Sequence, residues 1–207
     1  MIDTLHPSKV KLLEAAFRVI RTKGYSATRI DDICEAAGVT KGSFFHHFKG
    51  KEDLAVAAAE HWSATTGALF AEAAYHAASD PLERVLGYID FRKKLLEGEL
   101  PEITCLVGTM VQEAYETQPE IRDACGRSIL AHAAEIERDI AEAMRDRGIA
   151  ADWTAGSLAL HTQAVLQGAF ILAKATGETK VAVASVDHLR RYVELLFDAN
   201  TKRGDES

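Results

Sequence analysis

Thr28-Arg29-Ile30-Asp31-Asp32-Ile33-Cys34-Glu35-Ala36-Ala37-Gly38-Val39-Thr40-Lys41-Gly42-Ser43-Phe44-Phe45-His46-His47-Phe48 reads as two short helices joined by a tight turn. Ile30, Ile33 and Ala37 share one helical face, and Asp31 and Asp32 suit the positive start of a helix. Thr28 offers a hydroxyl as N-cap, so the spacing predicts a helix over about Arg29 to Ala37. Gly38 supplies the left-handed conformation a sharp turn needs, Val39 is the apolar plug of that turn, and Thr40 caps a further helix over Lys41 to His47. Upstream, Val10, Leu13, Phe17 and Ile20 repeat at helical spacing until Gly24 stops them. A supporting helix followed by two short ones across a glycine turn is a helix-turn-helix head.

The rest of the 207 residues continues in the same style. Lys51 opens a stripe of Leu54, Ala58, Trp62, Thr65, Leu69 and Ala73 that reaches close to His76. Pro81 starts a helix carrying Val85, Ile89 and Leu96. Beyond a break at Gly98 to Pro101, helices are expected over Ile103 to Gln118, Pro119 to Gly148, Asp152 to Thr176 and Val183 to Ala199. With four prolines in all, the chain is expected to be all-α with about nine helices. The domain expectation is a helix-turn-helix head over residues 1–52 and a larger helical domain over 53–207.

Composition narrows the function classes. Apolar residues make up 47% and charged residues 27%, an ordinary globular balance that excludes disordered and disulfide-scaffold classes. No run approaches the ~18 apolar residues of a membrane span. The first residues show no basic segment followed by an apolar run, so no secretory signal is read and the cytoplasm is expected. Cys34, Cys105 and Cys125 have no CxxC spacing, so neither a disulfide framework nor a metal site is encoded, and no cofactor is expected. The net charge of −7 conceals a division: residues 1–52 hold nine Lys or Arg against six Asp or Glu, and the remainder fifteen against twenty-five. A basic head on an acidic body suits a module that meets a polyanion, because phosphate contacts need local positive charge.

The run from Thr28 to Leu54, which closes Lys49-Gly50-Lys51-Glu52-Asp53-Leu54, resembles the DNA-binding signature of the tetracycline-repressor (TetR) family of transcriptional regulators. The resemblance implies a dimeric regulator, a repressor by the family's usual sign, that binds a palindromic operator and is released by a small molecule in the larger domain. Lys41, Gly42 and Ser43 then open the recognition helix, where Lys can donate to guanine, Gly permits close approach and Ser serves either partner. Thr28 and Thr40 are caps placed near phosphates, and Arg29 is a backbone contact. Phe45 and His46 stand where the family usually carries a tyrosine and a histidine that touch the DNA backbone. Phe45 departs from that pattern by lacking the hydroxyl and offers apolar contact only. Lys51 matches the family's phosphate-contacting lysine. Phe44 and Phe48 read as core.

In the larger domain an apolar cavity with a few polar groups is the expected form of an effector site. Trp62, Phe91, Cys105, Met110, Glu113, His161 and Gln167 are its candidate lining, with Glu113 foremost because it sits on an otherwise apolar helix. The small residues Gly156, Ala159, Ala164, Gly168, Ala169 and Ala173, together with the stripe Val186, Leu189, Val193, Leu196 and Phe197, predict a homodimer through residues 152–176 and 183–199. Three other readings stand beside this one. An activator of the same family would use the same head. An enzyme would need His161, Glu113 and Cys105 as a reactive set, yet no GxSxG, HExxH or Gly-rich phosphate loop occurs. A helical adaptor would bind another protein through the last two helices.

Overall fold

The computed structural model describes residues 5–204, and every regular element among them is helical. In order these are α1 (Pro7–Lys23), α2 (Ile30–Ala37), α3 (Lys41–His47), α4 (Lys51–Ala71), a 3-10 turn (Ala74–Ala77), α5 (Pro81–Lys94), α6 (Leu100–Ile103), α7 (Leu106–Ala114), α8 (Pro119–Asp146), α9 (Ala155–Thr176) and α10 (Lys180–Gly204). No helix among the described residues is long and apolar enough to cross a membrane.

The departures from expectation have local causes. The helix from Lys51 stops at Ala71 rather than near His76, and the His76 ring meets the terminal carbonyl of Phe70 at 3.0 Å. The single helix expected over 103–118 is broken into α6 and α7. There Cys105 is extended and caps α7, its Sγ accepting from the Gly108 amide at 3.4 Å, while Arg21 takes the Thr104 carbonyl at 3.3 Å. The expected start at Asp152 shifts to Ala155 because Thr154 and Ser157 form a reciprocal cap, 3.1 Å and 3.0 Å. At the C-terminal end α10 begins at Lys180, three residues earlier than read from Val183.

Two compact units emerge. The first comprises residues up to Ala68 together with Thr104–Ile129. Its core joins Leu12, Leu13, Ala16 and Ile20 of α1 with Ile33, Phe44, Phe48, Leu54 and Ala58, and also with Leu106, Met110, Ala114, Ile121 and Cys125. The head expected over 1–52 is thus folded together with α7 and the start of α8, whose apolar faces complete its core. Burial pushes the Cys125 thiol up to about 12 and raises that of Cys34 as well, as packed thiols should be.

The second unit comprises Leu69–Ile103 and the chain from Leu130 onward. Its core brings together Val85, Leu86 and Ile89 of α5, Leu158, Leu166 and Ala173 of α9, and Val186, Leu189, Val193 and Phe197 of α10. A polar chain crosses it: Gln163 Nε2 donates to the Tyr88 hydroxyl at 3.2 Å, which lies 2.9 Å from His132 Nε2. The phenol oxygen thus accepts from the amide and shares a hydrogen bond with the imidazole. Burial, reinforced by the Arg92 charge, pushes His132 down to about 3.

That depression has a defined sign. Below about pH 6.5 the unfolded chain takes up a proton that folded His132 refuses, so its contribution to stability erodes as pH falls and reaches a loss of about 2 kcal/mol at pH 5. Urea unfolding at pH 7 and pH 5 is expected to show a smaller acid-induced loss in His132→Asn than in the wild type. Equal losses in the two proteins would contradict the buried, neutral imidazole.

Candidate nucleic-acid interface

The turn between α2 and α3 depends on Gly38, whose φ of 64° and ψ of 38° are left-handed and whose amide meets the Glu35 carbonyl at 3.1 Å. Thr40 then caps α3, its hydroxyl accepting from the Ser43 amide at 3.2 Å. Phe44 and Phe48 are 0% and 3% exposed and lock α3 to the core, whereas Phe45 is 56% exposed. Lys41, Gly42 and His46 are also exposed, and Ser43 is half-buried, so the first turn of α3 and one later face present a continuous outward surface. Lys41 is paired with Asp31 of α2 at 2.7 Å, a contact open to solvent and worth little, so it yields readily to a competing partner.

At the far end of α3 His46, expected as a backbone contact, stands in a group of histidines. Ser8 Oγ is 2.8 Å from His6 Nδ1 and 2.6 Å from His47 Nε2, and the His46 and His47 rings are 4.8 Å apart. Desolvation, with the charges of His46, His6 and Lys9 behind it, lowers the His47 pKa. Three histidines within contact were visible only as His46-His47 in the sequence, because His6 is brought in by α1.

Two expected contacts have different positions. Thr28 is 1% exposed, and its hydroxyl donates to the Gly24 carbonyl at 2.6 Å. The N-cap of α2 is Arg29, whose amide donates to Asp32 Oδ2 at 2.7 Å. Asp32 is also held by Lys23 at 2.7 Å, and these bonds, the lysine's first, keep its carboxyl below the usual range. Lys51 turns inward as well. Its Nζ donates to the carbonyls of Tyr25, Ser26 and Thr28 at 3.2, 3.4 and 3.2 Å and stands 4.5 Å from the centre of the Tyr25 ring. An ammonium has three N–H groups, so these bonds use its full capacity.

The same loop is held from its other side. Tyr25 and Ser26 donate their amides to Glu113 Oε1 and Oε2 at 3.0 and 2.8 Å. Gly24 has a φ of 86°, which favours glycine, and a Cβ there would lie 2.5 Å from Glu113 Oε1 and push that carboxylate away. Glu113, the foremost effector candidate in the sequence, is therefore engaged with the main chain of the head.

The other candidates do not form one cavity lining. Met110 is fully buried in the core of the first unit. Trp62 packs edge-on to Phe17 at 5.2 Å with the Arg21 guanidinium 5.0 Å from its ring, and Cys105 is the α7 cap. In the second unit Phe91 meets Phe70 edge-on at 5.2 Å, exposed His161 lies against Tyr192 at 5.1 Å, and Gln167 is half-buried. A cavity of about 440 Å³ does occur in that unit, lined by Ala71, Tyr75, His76, Tyr88, His132, Glu135, Ile136, Arg138 and Asp139. None of these was among the expected residues. They were missed because the 3-10 turn that brings Tyr75 and His76 to α5 and α8 was read as continuing helix. No group of three potential metal ligands occurs among the described residues.

A three-helix head with an exposed second helix of the motif defines a helix-turn-helix protein. Residues 12–58 match the family model of bacterial regulatory proteins of the tetR family, and residues 81–183 match that of the C-terminal domain of LmrA/YxaF-like transcriptional regulators. The chain belongs to the TetR family. It is similar to the transcriptional regulator AcuR of Cereibacter sphaeroides, 30% identical over 55% of this chain, and that match spans 52% of AcuR, about half its length. The HTH-type transcriptional repressor DhaR of Mycobacterium sp. strain GP1 is 26% identical over 81% of this chain and 83% of its own. Among solved structures, a cysteine mutant of the TetR family regulator CifR, complexed with 26-bp double-strand operator DNA, shares the fold with a TM-score of 0.74. That likeness covers 88% of this chain and 94% of CifR at 20% identity. The family and these relatives are regulators, not enzymes, in keeping with the structural engagements of Glu113 and Cys105.

Lys51→Ala separates the two positions open to that lysine. Loss of a phosphate contact would flatten the salt dependence of DNA binding by about one unit of slope. The inward position predicts an unchanged slope on random duplex DNA and a lower unfolding midpoint. A slope reduced by one with full stability would place Lys51 on the phosphates.

Proposed function

We propose that the protein is a dimeric repressor that binds a palindromic operator through α3 and is released by a small molecule bound in its second unit. The observation that carries the reading is the exposed surface of Thr40, Lys41, Gly42, Phe45 and His46, with half-buried Ser43 among them, on a helix whose opposite face, Phe44 and Phe48, is buried. Such a helix can enter a major groove with its first turn against base edges. Lys41 and Ser43 read bases, Gly42 permits close approach, Phe45 makes apolar contact, and Arg29, Thr40 and His46 meet the backbone. Thr28 and Lys51 act from behind by shaping the loop before α2. The operator complex of CifR and the repressor designation of DhaR support the same reading. The cytoplasm, where operator DNA lies, is the proposed location.

Dimerisation is proposed through α9 and α10. Leu160, Ala164, Gly168, Ile171 and Leu172 lie along one face of α9, and its three large residues are 50–51% exposed. Tyr192 and Leu195 of α10 are 45% and 66% exposed, and the contact of Tyr192 with His161 joins the two faces. A Cβ at Gly168 would meet nothing within 4 Å in this chain, so its smallness serves an outside surface. A second copy of the same face makes a closed isologous pair.

The effector is proposed to occupy the 440 Å³ cavity beside Tyr75, Tyr88 and His132. It acts only through a difference in affinity between DNA-competent and released states.

The test is a titration against the DNA immediately upstream of the protein's own coding region, with random competitor at two salt concentrations. Binding that survives competitor and is lost in Leu172→Glu/Leu195→Glu, together with a change from dimer to monomer by light scattering, is the expected result. Binding erased equally by competitor and salt for every duplex offered, including pools of random sequence, would overturn the reading.

A further inference from the structure

The loop from Gly24 to Thr28 sets the entry of α2, and two side chains of opposite charge hold it through its main chain. From α7, Glu113 accepts the amides of Tyr25 and Ser26 with one carboxylate oxygen each, at 3.0 and 2.8 Å. From the start of α4, Lys51 donates to the carbonyls of Tyr25, Ser26 and Thr28. The peptide groups on both sides of Tyr25 and Ser26 are thus fixed, which defines the direction of the chain as well as its location. A neighbouring bond strengthens the attachment: Arg21, on the last turn of α1, donates to the Thr104 carbonyl just before α7. The side chain between them, Tyr25, is 5% exposed, and burial with the Glu52 charge pushes its phenol up to about 12, so it stays neutral beneath the Lys51 ammonium.

We infer that Glu113 and Lys51 are positioning residues for operator discrimination. They hold α2, and through the Gly38 turn α3, in the orientation that reads base edges, and Glu113 makes that orientation depend on α7. The inference rests on the proposed operator binding and adds to it a determinant that does not touch DNA. Random-duplex binding needs only positive charge near phosphates and tolerates a tilted head, whereas base readout needs bidentate geometry. Loosening the clamp therefore lowers specific affinity selectively. A residue that merely stabilises the fold would, when changed, lower both affinities together through the folded fraction.

Glu113→Gln is the informative variant. Its amide keeps one acceptor oxygen but turns an NH2 donor toward the second main-chain N–H, so one charge-assisted bond is lost and a donor opposes a donor. The expected result is about a tenfold loss of affinity for the operator, the scale of one such bond. Affinity for random duplex and its salt slope should be unchanged, and amide exchange should quicken at Tyr25 and Ser26. Lys51→Met should act in the same direction, and the double variant should lose less than the product of the two single effects, because both hold one loop. Wild-type discrimination in Glu113→Gln despite faster exchange at Tyr25 and Ser26 would overturn the inference, as would equal losses on operator and random DNA. A wild type that discriminates no duplex at all would instead overturn the operator reading itself, and that is seen before any variant is made.

Discussion

The three consecutive peptide groups from Gly24 to Ala27, between α1 and α2, must be held without a helix or a sheet to hold them, and side chains from α4 and α7 do so. Buried or half-buried main-chain N–H and C=O groups are costly when unpaired, so a loop this close to the core needs external partners. A lysine for the carbonyls and a glutamate for the amides form a complementary pair, and Thr28 closes the loop on itself through the Gly24 carbonyl. The missing Cβ of Gly24 leaves room for the Glu113 carboxylate to approach. Residues far apart in the chain are consequently one structural unit, as the shared core of α1, α4, α7 and α8 also shows.

The fold class and the head were legible in the sequence because both rest on local rules. Spacing of Val10, Leu13 and Ile20, the Gly38 turn and the Thr40 cap act within a few residues, and the helices stand where those signals put them. Boundaries set by tertiary contacts were not legible. The Cys105 cap stands beside a Thr104 carbonyl bonded to Arg21 of α1, and the end of α4 has a histidine folded back on its last turn. Glu113 illustrates the same limit in a side chain. A carboxylate on an apolar helix signals a polar partner, but whether that partner is a ligand or a main chain eighty-odd residues away lies in the packing of α7 on α1.

The cavity residues divide in a similar way. Tyr88, His132 and Gln163 form a hydrogen-bonded row with a neutral imidazole in the core of the second unit. Arg84 holds Asp139 at 2.7 Å and also pairs with Glu142, which partly neutralises the cavity's acidic side. The rest of the cavity lining mixes the rings of Tyr75, Tyr88, His76 and His132 with the charged groups of Glu135 and Arg138. Leu160, Ile171 and Leu172 of α9 and Tyr192 and Leu195 of α10 remain exposed large apolar side chains, the surface on which the proposed pairing rests.

In the proposed mode of binding α3 is the reading element, held from behind by the loop clamp. Amide hydrogen exchange across the chain, with the operator and with a scrambled duplex of equal length, tests it directly. The expected result is added protection over Thr40 to His47 with the operator and little with the scrambled duplex. Equal protection by both duplexes, or protection that leaves this segment untouched, would contradict it.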